Sequence, residues 1–121
     1  MPVDHLDPAG SNTIGGADVS VPCGSKKPVF TNGFLNPRDF AITVVNKGKQ
    51  GDCPLEIQIW TAPVAGGAVA APRAGAPTIP LNVGGEAGTL SGTLAAGEAF
   101  YVVCTAAANR ICKYEYQVNK A

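Results

Sequence analysis

The sequence predicts an all-β domain, an antiparallel sandwich of seven to eight short strands held by two disulfides. Three observations carry this. Apolar and polar residues alternate with a period of two in short runs, and almost no helical periodicity is present. Gly, Pro and Asn clusters punctuate those runs. Four cysteines, Cys23, Cys53, Cys104 and Cys112, form an even set without metal-type spacing.

Strands are expected near Val19–Cys23, Val29–Phe34, Asp39–Asn46, Pro54–Thr61, Thr78–Val83, Gly88–Leu94, Ala99–Thr105 and Ile111–Asn119. In Leu55-Glu56-Ile57-Gln58-Ile59-Trp60 the aliphatic side chains share one face, leaving Glu56, Gln58 and Trp60 on the other. In the last strand Cys112, Tyr114, Tyr116 and Val118 share the dry face. Half-wet, half-dry strands fit antiparallel sheets packed on one side. Polar turns lie at 46–52 and 95–98. Seven or eight such strands in about 100 residues imply an immunoglobulin-like sandwich. Residues 1–18, rich in Gly, Asp and Pro, read as an N-terminal arm or linker, and 19–121 as the single domain. The arm could also reach a neighbouring subunit and add a strand.

The cysteine spacings are 30, 51 and 8, and His5 is the only histidine. Zinc usually wants close CxxC pairs with histidines, and redox catalysis also favours CxxC. Structural disulfides remain the best reading. If the last two strands form a hairpin closed by Cys104–Cys112, Val102 faces Tyr114 and Phe100 faces Tyr116 inside. Val103 then faces Lys113 and Tyr101 faces Glu115 outside, an arrangement that cross-strand pairing favours. Cys23 then pairs with Cys53 by elimination, and strand parity agrees.

Composition limits function. In 121 residues, apolar types make up 45% and charged types 15%, against roughly 25% charged in ordinary soluble domains. Nine Lys and Arg balance nine Asp and Glu, so the composition offers no basic field for nucleic acid. No apolar run is long enough for membrane insertion. Met1-Pro2-Val3-Asp4 does not read as a signal peptide. Either that segment was removed and Met1 is not native, or the protein is kept inside a cell or virion. The cysteines favour a secreted or cell-surface protein. No N-x-[ST] sequon is present, which favours a bacterial or viral source.

No catalytic constellation emerges, so the chain is expected not to be an enzyme. His5 lies in the arm, and neither a GxSxG elbow nor a GxxxxGK[ST] loop occurs. Glu56, Glu86, Glu98 and Glu115 fall on separate strands or turns. No cofactor is expected. Calcium is the least weak candidate, with Asp4, Asp7 and Asp18 ahead of Asp39 and Asp52, but no dense D-x-D-x-D run exists.

Two surfaces stand out. Trp60, Tyr101 and Val103, with Gln58, Glu115 and Gln117, are expected to share one exposed sheet face. An aromatic pair among amides and acids suits the centre of a protein interface or stacking on sugar rings. Alternatively, Trp60 ends its strand and is covered by the loop that follows. That loop, residues 62–77 (APVAGGAVAAPRAGAP), has Arg73 as its only charge. It is either a flexible surface loop or an assembly surface in which Val64, Val69 and Arg73 meet a neighbour.

Thr93-Leu94-Ala95-Ala96-Gly97-Glu98-Ala99-Phe100-Tyr101-Val102-Val103-Cys104 resembles the approach to the penultimate strand of bacterial cell-surface immunoglobulin-like and fibronectin-type-III-like modules. There a Leu, a Gly-containing turn and an alternating strand recur. The likeness covers the C-terminal quarter and departs from antibody domains, because the cysteines do not bracket a core Trp. It implies a fold class and no particular ligand. The expected role is a structural module that self-associates or joins other protein subunits in a filament, adhesin or coat. The alternatives are a carbohydrate-binding module, whose partner is a polysaccharide, and a virion or phage accessory protein.

Overall fold

The computed structural model describes residues 13–64, 66–67 and 69–120. Among them are eight strands and no helix: β1 Thr13–Pro22, β2 Lys26–Thr31, β3 Arg38–Asn46, β4 Leu55–Trp60, β5 Ile79–Leu81, β6 Ala87–Leu94, β7 Ala99–Cys104 and β8 Ile111–Lys120. They form two four-stranded sheets, ordered β1-β8-β3-β6 and β2-β7-β4-β5, with antiparallel neighbours throughout. No helix among the described residues is long and apolar enough to cross a membrane.

The strands pair from the outside inward: β1 with β8, β2 with β7, β3 with β6, β4 with β5. One long hairpin, closed at β4–β5, is thus rolled so that successive pairs alternate between sheets. Pairings of β8 with β3 and β7 with β4 complete the two layers. This is the strand order of an eight-stranded jelly roll.

It corrects the immunoglobulin-like expectation. An immunoglobulin sandwich orders its strands ABED and CFG, with sequential neighbours paired at several places. Here only β4 and β5 are both sequential and paired; every other connection crosses between sheets. A second correction concerns the arm. β1 begins at Thr13, so residues 13–18 belong to a strand, which carries a bulge between Gly16 and Val19 with Asp18 at φ 55°. Residues 1–12, with His5, Asp4 and Asp7, lie outside the described residues.

Strand alternation builds the core directly. One sheet sends in Phe40, Ile42, Val44, Leu90, Leu94, Cys112, Tyr114 and Val118. The other contributes Phe30, Leu55, Ile57, Ile59, Leu81, Phe100, Val102 and Cys104, and all sixteen are at most 3% exposed. Phe30 and Phe40 meet edge-on across the layers, ring centroids 4.7 Å apart, a geometry the aromatic quadrupole favours. On β6 the inward row runs Gly88, Leu90, Gly92, Leu94. A Cβ on Gly88 would lie 2.6 Å from Ile79 Cγ2 and one on Gly92 3.1 Å from Ile59 Cδ1. The two glycines let the sheets close at this edge.

Both expected bridges form, Cys23–Cys53 and Cys104–Cys112. The register that led to the second does not. β7 lies in one sheet and β8 in the other, so Phe100 and Val102 pair with β2 and β4, not with Tyr116 and Tyr114. Cys104–Cys112 is a strut between sheets. The alternation still places Cys112, Tyr114 and Val118 inward, while Tyr116 is only half-buried.

Burial, with a smaller contribution from neighbouring Tyr116, pushes the Tyr114 hydroxyl up to about 12 from its ordinary 10. The native state then holds this proton while the unfolded chain releases it. Stability is therefore fully present below about pH 10 and falls as pH rises towards 12, by roughly 2–3 kcal/mol across the window. Urea melts between pH 8 and 12 should show that loss, and Tyr114→Phe should flatten the profile. An equally steep profile in the variant would exclude Tyr114 as its source.

Candidate functional site

Chain direction sorts the connections into two ends. The loops after β1, β3, β5 and β7 share one end with both disulfides, and the loops after β2, β4 and β6 share the other, where β1 starts and β8 stops.

On the outer face of the β2-β7-β4-β5 sheet, the expected cluster largely assembles. Glu56 is opposite Val103, Gln58 opposite Tyr101 and Trp60 opposite Ala99. The Trp60 and Tyr101 rings stack with centroids 4.0 Å apart and planes at 6°. Trp60 Nε1 donates to Gln58 Oε1 at 2.9 Å, and Gln58 Nε2 donates to Glu56 Oε1 at 2.9 Å. The result is a fixed ridge in which one face of each ring is spent on the other. The half-buried Trp60 remains part of this ridge, and its backbone bridges Pro72 of the following loop.

Glu115 does not join this face. It sits with Gln117 on the outside of the opposite sheet, beside Val45 and Thr43. There Gly15, Gly16, Thr43, Val45, Glu115, Tyr116 and Gln117 line an open depression of about 510 Å³. The physical reason is the crossover: β8 left the neighbourhood of β7 when the chain changed sheets.

The 62–77 loop is tied down at its base. Thr61 N donates to Ala71 O and Arg73 N to Ile59 O, each at 2.8 Å, continuing the edge of β4. Arg73 Nη1 reaches the carboxylate of Glu98 at 2.7 Å and the carbonyl of Thr93 at 2.9 Å. Arg73 is therefore a clip joining this loop to the β6–β7 turn, and its charge is already engaged. Val64 and Val69 point out, 60% and 78% exposed. Leu35 in the β2–β3 loop, which the sequence reading passed over, is 93% exposed at the same end. Its loop is braced by buried Asn32, whose side-chain amide donates to Leu94 O and Asn36 O.

At the disulfide end, Asn46 is the corresponding brace. It is fully buried; its amide donates to Leu81 O at 3.2 Å and Cys53 O at 3.5 Å, and its Oδ1 accepts from Gly48 N at 2.8 Å. Both asparagines extend inward-facing rows, after Phe30 and after Phe40, Ile42 and Val44. That parity is the signal by which sequence reading could have found them.

Of the acids proposed for calcium, Asp4 and Asp7 lie outside the described residues, and the described ones, Asp18, Asp39 and Asp52, do not converge. Asp52 Oδ2 accepts from Lys49 N at 2.9 Å, and Asp39 accepts from the Thr93 hydroxyl. Asp18 stands apart in the β1 bulge. Among the described residues, the group of potential metal ligands within reach of one another is Cys53, Cys104 and Cys112. All three are held in the two disulfides, which lie side by side. Comparison of the chain with protein-family models, with curated proteins and with solved structures finds no match.

Proposed function

We propose that this chain is a non-catalytic structural module of the cell surface or the secreted space, which joins copies of itself or other protein subunits through its disulfide-free end. The observation that carries this reading is the exposure of Leu35, Val64 and Val69 on anchored loops at that end. Exposed aliphatic side chains on a floppy loop cost little; here Arg73, Thr61 and Asn32 anchor the loop bases, so a partner meets aliphatic side chains carried on tethered loops. The rigid Trp60–Tyr101 ridge adjoins it through Pro72 and offers the aromatic content that interface centres favour. Two disulfides fit an oxidising, extracellular-type environment. Jelly rolls serve as coat and lectin domains, which is compatible with a coat or virion role, but fold alone does not assign one.

The glycan-platform reading of Trp60 and Tyr101 is less favoured, because the two rings cover each other and the indole N–H is taken by Gln58. It retains a direct test: polysaccharide retention by the wild type that Trp60→Ala abolishes.

The assembly reading is tested by sedimentation of the intact, oxidised chain over a wide concentration range. Reversible association is expected. Val64→Ser combined with Val69→Ser should weaken it by roughly ten- to hundredfold, since each valine, partly buried by a partner, would contribute about 0.7–1.4 kcal/mol, half or less of what full burial gives. A strict monomer at every concentration, with no partner subunit retained, would remove the reading.

A further inference from the structure

The neutral composition conceals a separation of charge along the sandwich. Lys26, Lys27, Lys47, Lys49, Arg110 and Lys113, six of the nine cations, lie at or next to the disulfide end. Among the described residues, three of the seven acids, Asp52, Glu56 and Glu86, accompany them. Six cations against three acids give that end a net charge of +3, while the other described residues carry three cations and four acids. Strands of eight to ten residues separate the ends by roughly 25–30 Å, several times the ~8 Å Debye length. Asp39 and Glu98, at the far end, therefore do not cancel the local field, and Asp18 and Glu115, at mid-strand, only reduce it.

The three near acids are all occupied. Asp52 accepts from Lys49 N, Glu86 from Asn82 N and Glu56 from Gln58 Nε2, each at 2.9 Å. The six cations are exposed, and the ion pair among the described residues, Arg73–Glu98, is at the opposite end. This end is also the most rigidly built. Cys23–Cys53 joins the β1–β2 and β3–β4 loops, Cys104–Cys112 closes the β7–β8 loop, and Asn46 ties the β3–β4 loop to β5. Loops fixed in this way hold their charges in place before a ligand arrives, which lowers the entropy cost of binding.

We infer that the disulfide end is a docking surface for an acidic polysaccharide. Charge complementarity calls for an anion, and the form of the surface selects a polymer. Three cations lie on two connections, β3–β4 and β7–β8, and three on the adjoining ends of β2 and β8, and the exposed large apolar residue beside them is Ile111, 40% exposed. Such a rim lacks the dry centre that a protein partner requires, whereas a chain with repeating carboxylates can follow an irregular array of ammonium groups. Nucleic acid fits less well. The connecting residues 23–25, 47–54, 82–86 and 105–110 contain no aromatic side chain on which bases could stack. Five of the six cations are lysines, which lack the planar fork suited to phosphate.

The test uses the intact oxidised chain, with polygalacturonate as probe and neutral dextran as control, in calorimetric titrations at several salt concentrations. Polygalacturonate should bind, and the logarithm of its affinity should fall with the logarithm of salt as counterions are released. Lys47→Gln/Lys49→Gln/Arg110→Gln replaces three exposed side chains and should lower affinity at least tenfold, or about 1.4 kcal/mol. Arg38→Gln/Lys120→Gln at the other end should leave it unchanged. Absence of binding, equal binding of dextran, equal loss in both variants, or tighter binding of a DNA duplex would each overturn the inference. A monomer that binds polygalacturonate would uphold it while removing the assembly reading.

Discussion

Removing the Cys23–Cys53 bridge, as Cys23→Ala/Cys53→Ala, should lower stability by roughly 3–4 kcal/mol, the loop-closure cost of a cross-link spanning 30 residues. The Cys104–Cys112 pair, eight residues apart, should cost about 2.5 kcal/mol on the same model. Topology widens the gap. β1 is an edge strand bonded to β8 alone, with a bulge after Gly16 that interrupts its ladder. Cys23 is the covalent tie that anchors its C-terminal end to the other sheet. β7 and β8, by contrast, are each flanked by two strands. A domain of this size has about 5–15 kcal/mol in total, so the first bridge is a large share. Urea melts of the intact chain and both double variants give the ranking, and the m-value should rise as the unfolded chain expands. A greater loss from the Cys104/Cys112 variant would mean that the edge strand is not the weak element.

Strand positions were legible because a period of two is written locally, and every expected strand exists within three residues at each end, except that β1 starts six residues earlier, at Thr13. Strand pairing was not. Alternation tells which side chains point inward, but not which strand lies alongside. Phe100 and Val102 are apolar towards Tyr114 in a hairpin and equally apolar towards it across a sandwich. The Cys104–Cys112 pairing was therefore reached by a register that does not exist, and it holds because both geometries put the two sulfurs on facing inner surfaces. The same ambiguity placed Glu115 beside Tyr101, when β8 had in fact crossed to the other layer. Trp60, Gln58, Tyr101 and Val103 survived because their grouping needed only that β4 and β7 be neighbours.

Arg73 illustrates a different limit. A single charge in an Ala/Gly/Pro stretch reads as a solvated group or an interface contact, and nothing local announces that Glu98 is folded back towards it. The cationic end was hidden for a related reason: counts of nine and nine cancel in the sequence, and only topology gathers six of the cations at one end. On the proposed readings the two ends would differ in use, the apolar one meeting subunits and the cationic one a polyanion. A coat or surface component anchored on an acidic matrix would use both.

Asn46→Ala should destabilise the protein by about 3 kcal/mol, more than a typical polar substitution, because the side chain is fully buried and serves three backbone groups. Its loss leaves Leu81 O, Cys53 O and Gly48 N without these partners, and each buried polar group left unmet costs about 1–3 kcal/mol. Water cannot enter freely, since Gly48, Cys53 and Leu81 are themselves buried. Asn46→Asp should be nearly as damaging: it keeps an acceptor for Gly48 N but turns a carboxylate towards two carbonyl oxygens. Asn82→Ala, an exposed position on the neighbouring loop, should stay within roughly 0.5 kcal/mol of the parent. Equilibrium urea denaturation distinguishes these outcomes, and a cost for Asn46→Ala below about 1 kcal/mol would show that the loops are held by the disulfides alone. The same variant bears on the cationic end. Lys47 and Lys49 sit on the loop that Asn46 fixes, so polygalacturonate affinity should fall with it although no charge has been removed.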